Sequence, residues 1–81
     1  MTERLTQLRL ANEFLRGNGI VTIGESDGEI GLLYTYNYSV VAYWWESYAH
    51  GFVITDKCPK FLDKTVERLN QIFNLPNHEE P

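Results

Sequence analysis

The chain has 81 residues, a length that holds one small domain and leaves no room for a catalytic domain beside a substrate domain. With 43% hydrophobic and 22% charged residues it is a globular composition, which excludes wholesale disorder. Seven Lys and Arg against eleven Asp and Glu leave a net charge of −4, a balance that argues against neutralising nucleic-acid phosphates.

The spacing of Leu5, Leu8, Ala11 and Leu15, widened by Phe14, predicts an amphipathic helix over residues 2–16. Its mixed-charge start has no apolar targeting segment. Gly17-Asn18-Gly19 ends it, because Gly and Asn accept the left-handed conformation at a helix C-terminus. The β-branched run 19–25 reads as a strand, and Asp27-Gly28 as the turn of a hairpin. Residues 29–36 form the second strand, with Ile30, Leu32, Tyr34 and Tyr36 on one face and Gly31, Leu33 and Thr35 on the other. Asn37-Tyr38 turns the chain into a third strand, 39–46. There, alternation puts Val40, Ala42 and Trp44 on one face and Val41, Tyr43 and Trp45 on the other. After a loop at 47–51, residues 52–55 make a short fourth strand.

A second helix is expected from Pro59, which suits a first turn, to Phe73. Leu62, Val66, Leu69 and Phe73 form its apolar stripe, flanked by Phe61 and Ile72. Leu75-Pro76 stops it. The expected domain is 1–76, followed by a flexible acidic tail at 77–81. The order α-β-β-β-β-α points to an α+β two-layer sandwich: an antiparallel meander with both helices on one face. The other sheet face is then left uncovered.

Two partitions in the sequence bear on function. All five Tyr and both Trp fall within residues 34–48, whereas all four Phe fall outside. Strand propensity by itself enriches a meander in aromatics. Tyr and Trp, however, carry a polar handle and suit surfaces that meet a partner, while Phe suits a dry core. Residues 17–56 also contain five acids and no Lys or Arg, so the sheet is acidic and the helices hold the positive charge. The expected protein-binding surface comprises Tyr34, Tyr36, Tyr43, Trp44, Trp45 and Tyr48, rimmed by Glu25, Asp27, Glu29 and Glu46. It fits a protein partner with a basic surface, or a second copy in a homodimer.

Enzymatic chemistry has little to draw on. His50, Cys58 and Asp56 are the one nucleophile–base–orienter set, with Cys58 placed where a helix start lowers a thiol's pKa, but no motif joins them. His50, Cys58 and His78 lack zinc-site spacing, and Gly24, Gly28 and Gly31 make no phosphate loop. No catalysis, metal or cofactor is expected. A single cysteine forms no intramolecular disulfide, and Val40–Trp45, the longest apolar run, is too short for a bilayer. The expected setting is the cytoplasm, away from membranes.

The step Phe52-Val53-Ile54-Thr55-Asp56-Lys57, leading into Phe61-Leu62, resembles small bacteriophage proteins that end a β-meander in a Thr-x-Lys step before a helix. Size, acidity and aromatic density are similar to phage-encoded inhibitors of host proteins, anti-CRISPR proteins among them, a likeness of class. It implies a non-enzymatic inhibitor that binds a basic site on a larger protein in the host cytoplasm. The alternative is a nucleic-acid-associated regulator using the basic edge of the second helix, where Lys57, Lys60, Lys64 and Arg68 interleave with Asp56, Asp63 and Glu67.

Overall fold

Two tight turns organise the sheet. Asp27 and Gly28 (φ 54° and 78°) and Asn37 and Tyr38 (φ 55° and 67°) all take left-handed backbone conformations, the primed turn whose twist matches antiparallel strands. The computed structural model describes residues 2–76, and the expected tail at 77–81 lies outside the described residues. The elements are α1 (Thr2–Leu15), β1 (Ile20–Ser26), β2 (Glu29–Tyr36), β3 (Ser39–Trp45), β4 (Val53–Ile54), a 3-10 turn (Lys60–Leu62) and α2 (Asp63–Ile72). The strands form one antiparallel meander in the order β1-β2-β3-β4. With both helices packed on one face, the chain is an α+β two-layer fold in the α-β-β-β-β-α order.

The core lies between the helices and one sheet face. Val21, Leu32, Tyr34, Ala42 and Trp44 meet Ala11 and Leu15 of α1 and Val66, Leu69 and Phe73 from the α2 side, with Phe52 and Leu62 closing the end. These positions follow the register, since Val21 pairs with Tyr34, Tyr34 with Ala42 and Leu32 with Trp44. An asparagine ties each helix to the sheet. Asn12 Oδ1 accepts from the Val21 N–H at 2.9 Å and its Nδ2 donates to the Val21 C=O at 3.1 Å. Asn70, buried, accepts from the Phe52 N–H at 2.9 Å.

Several expectations need correction. Val41 is in the core and Val40 is exposed, the reverse of simple alternation. Tyr34 pairs with Ala42 but Thr35 pairs with Val40, so Val41 is the extra residue of a β-bulge, which turns it to the same side as Ala42. On α1, Leu5 is 60% and Phe14 42% exposed, because the helix rests on the face holding Arg4, Leu8, Ala11 and Leu15. Phe61 is 65% exposed beside the 3-10 turn, not part of the buried stripe. The Phe versus Tyr/Trp partition therefore does not separate core from surface: Phe14 and Phe61 lie outside, Tyr34 and Trp44 inside.

Candidate protein-interaction face

The uncovered face of the sheet is built from the alternate positions of each strand: Thr22 and Gly24, Gly31, Leu33 and Thr35, Tyr43 and Trp45, and Val53. Two glycines shape it. A Cβ on Gly31 would collide with the Trp45 ring, so the indole lies flat across the β2 backbone. A Cβ on Gly24 would come to 3.0 Å from Leu33, which leans the same way over β1. The large side chains consequently spread over the sheet, and Leu33, Tyr43 and Trp45 are all half-buried with no described element above them.

Tyr48, in the loop after β3, extends this surface. Its ring lies 6.3 Å from that of Tyr43 and 4.9 Å from the His50 ring, while its other side packs against the core. Its hydroxyl is pushed above the ordinary tyrosine range, first by burial, then by Tyr43 through charge and a hydrogen bond, and by the nearby Glu29 carboxylate. Tyr43 and Tyr48 thus meet, and Trp45 shares the open face with Tyr43 two positions along β3.

Of the ten residues expected at the site, these three come together on the open face. Tyr34 is 0% and Trp44 7% exposed, both under the helices, because adjacent residues of a strand point to opposite faces. Tyr36 is on the helix side at the sheet's far end, edge-on to Phe61 at 5.8 Å. Glu25 and Asp27 are exposed, and Glu25 pairs with Ile30 on the helix-side row. Glu29 and Glu46 are only partly a rim. The Glu46 carboxylate accepts from the Ile30 N–H at 3.2 Å and that of Glu29 from the Ser47 N–H at 2.8 Å, stapling the start of β2 to the end of β3.

Two surface features lay outside the expected set, the half-buried Leu33 and the exposed Tyr38. Leu33 belongs to the open face, as the alternation Gly31-Leu33-Thr35 already indicated. Tyr38 is 99% exposed at the tip of the β2–β3 hairpin with φ 67°, where a bulky side chain is costly. Its signal was a tyrosine at a turn position that favours Gly.

The chemistry elsewhere is quiet. Burial, and then the Asp63 carboxylate, push the Cys58 thiol up, the opposite of the lowering expected at a helix start, and its Sγ donates to the Pro59 carbonyl at 3.5 Å. Among the described residues no cluster of three His, Cys, Asp or Glu is set to hold a metal ion, and no helix is long and apolar enough to cross a membrane. At one end of the core, a cleft of about 570 Å³ is lined by Arg4, Trp44, Glu46 and Phe73, with the Arg4 guanidinium 5.5 Å from the Trp44 ring centre. No protein-family model matches this chain, and neither curated proteins nor solved structures yield a significant match.

Proposed function

We propose that this protein is a non-enzymatic protein-interaction module whose working surface is the open sheet face around Tyr43, Trp45 and Tyr48. The observation that carries the reading is an aromatic surface with nothing described above it, on a segment that has five acids and no Lys or Arg. Tyr and Trp dominate interface energies because they bury much area with few torsions to fix. The acids of this segment, the exposed Asp27 at the hairpin tip in particular, attract a basic partner and act on its rate of encounter. The mode of action is occlusion of a basic site on a larger protein in the cytoplasm, as an inhibitor; the free Cys58 suits a reducing compartment. The basic side chains along α2 alternate with Asp63 and Glu67, which favours a protein target over nucleic acid.

The test begins with light scattering at high micromolar concentration, followed by binding of a partner recovered by pull-down to purified variants. Trp45→Ala is expected to stay folded and to weaken binding by about 30-fold or more, the equivalent of a hot spot of about 2 kcal/mol. Charge reversal at Asp27 should slow association, with the effect fading as salt rises. A wild-type dimer that Trp45→Glu converts to a folded monomer assigns the face to a second copy. Unchanged partner binding by folded variants lacking Tyr43 and Trp45 overturns the proposal.

A further inference from the structure

The two edges of the sheet are finished differently. β4 is two residues long, and just before it the Phe52 N–H is taken by Asn70. β1 is seven residues long, and among the described residues its outer edge is closed only at Val21, whose N–H and C=O are both held by the Asn12 amide. In an antiparallel pair, successive residues turn their backbone groups alternately toward and away from the neighbouring strand. Val21 turns away from β2, so Ile23 and Glu25 do as well. The register agrees, since Ser26 and Glu29 flank the two-residue turn as a pair and belong to the other set. Among the described residues nothing hydrogen-bonds the outward N–H and C=O of Ile23 and Glu25. The Ile23 side chain is 40% exposed, and β1 has neither Lys nor Pro, two residues that commonly protect an edge.

We propose that this stretch of β1 is a strand-addition site that takes one short extended segment of a partner protein as a fifth, antiparallel strand. The segment carries Lys or Arg opposite Glu25 and an apolar residue opposite Ile23. Charge selects this occupant: Glu25 is exposed, Asp27 and Glu29 follow at the adjoining turn, and no Lys or Arg lies within residues 17–56. A second copy fits worse. The two-fold pairing that uses the free groups of both strands sets Ile23 against Glu25 and brings the two acids to diagonal positions on one face. Gly24, between them, adds no side chain of its own on the open-face side, where Leu33 leans over it. Asn12 fixes the end of the site, because the added strand meets its amide at Val21. The inference stands apart from the aromatic face and holds whether or not that face has a partner.

The experiment titrates the isotope-labelled full chain, observed by amide NMR, with the capped heptapeptide acetyl-Thr-Thr-Lys-Thr-Val-Thr-Thr-amide and its Glu-for-Lys counterpart. The lysine peptide should shift the Ile23 and Glu25 amides and slow their exchange, and the glutamate peptide should bind several-fold more weakly. Glu25→Lys should reverse that preference. Ile23→Pro should abolish both responses, its N–H being free and its position an edge where Pro is tolerated; should that variant fail to fold, the Glu25→Lys reversal decides. Ile23 and Glu25 amides unmoved at millimolar peptide, or moved equally by both peptides, overturn the proposal. So does protection of these amides that grows with protein concentration alone, which assigns the edge to a second copy.

Discussion

Tyr34 and Trp44 lie on the same buried sheet face and meet the cost of a polar aromatic in a core in different ways. The Tyr34 hydroxyl donates to the Asn18 carbonyl at 2.6 Å, which pins the α1–β1 loop to the middle of β2. Trp44 Nε1 is buried without a hydrogen-bond partner among the described residues, a loss on the order of 1–3 kcal/mol. The Arg4 guanidinium, over both the Trp44 and Phe73 rings, offsets part of it. Burial, with smaller contributions from Cys58 and Tyr36, pushes the Tyr34 hydroxyl from 10.0 up to about 12. The unfolded chain then releases this proton near pH 10 while the folded chain keeps it. Stability from this group is therefore complete below pH 10 and is lost as pH rises from 10 toward 12, by about 2–3 kcal/mol. Tyr34→Phe should cost about 1 kcal/mol at neutral pH by losing the bond to Asn18, and should flatten the alkaline loss. Denaturant midpoints measured from pH 7 to 12 check both effects. Alternation in β2 grouped Tyr34 with Leu32 but did not say that this face takes the helices, so Tyr34 was expected at the binding surface and lies in the core. Its partner Asn18 was not legible, because a contact across 16 residues leaves no periodic trace.

At the scale of elements, the hairpins show where local chemistry was readable. Asp27-Gly28 has the residues a primed two-residue turn prefers, and β1 and β2 pair around it without a slip from Ser26–Glu29 to Ile20–Thr35. Asn37-Tyr38 adopts the same geometry with a poorer second residue, and the hairpin it closes carries the bulge at Val41. That bulge decided which valine is buried and which joins the open face. Valines at 40 and 41 are identical to any pattern argument, so the choice lay in the β2–β3 register and not in the residues. The α1 stripe held at Leu8, Ala11 and Leu15 and missed at Leu5 and Phe14 for a related reason: several apolar spacings fit one helix, and docking through Arg4, Ala11 and Leu15 chose among them. Tyr38 packs on nothing, being 99% exposed, while its left-handed backbone costs about 1–2 kcal/mol. Tyr38→Gly removes that cost and returns part of it through a more flexible unfolded chain, so a net gain of about 0.5–1 kcal/mol is expected. For a domain of this size that raises the melting temperature by roughly 2–8 °C. A thermal melt that falls instead shows that the tyrosine holds the hairpin by contacts of its own.

For the whole molecule, the uncovered face follows from element count: two helices cover one side of a four-stranded sheet, and the described chain has nothing left for the other. That much was legible. How the consecutive indoles divide was not, since it depends on which side the helices take. With the helices on the Leu32 and Tyr34 side, Trp44 is enclosed and Trp45 lies half-open over Gly31. The two tryptophans therefore report on opposite faces of one sheet, and collisional quenching by acrylamide separates them. In the free protein the quenchable part of the emission should come from Trp45, so Trp45→Phe should leave emission that resists acrylamide. An occupant of the aromatic face excludes quencher from Trp45 and should bring the wild type to the resistance of Trp45→Phe. A strand added at Ile23 and Glu25 lies at the β1 edge, two strands from β3, and should leave Trp45 as accessible as before. A partner that shields Trp45 without moving the Ile23 and Glu25 amides uses the face, and one that moves those amides without shielding Trp45 uses the edge. A bound partner that does neither places the interface on the helical side, where all seven Lys and Arg of the chain lie on the helices or next to their ends.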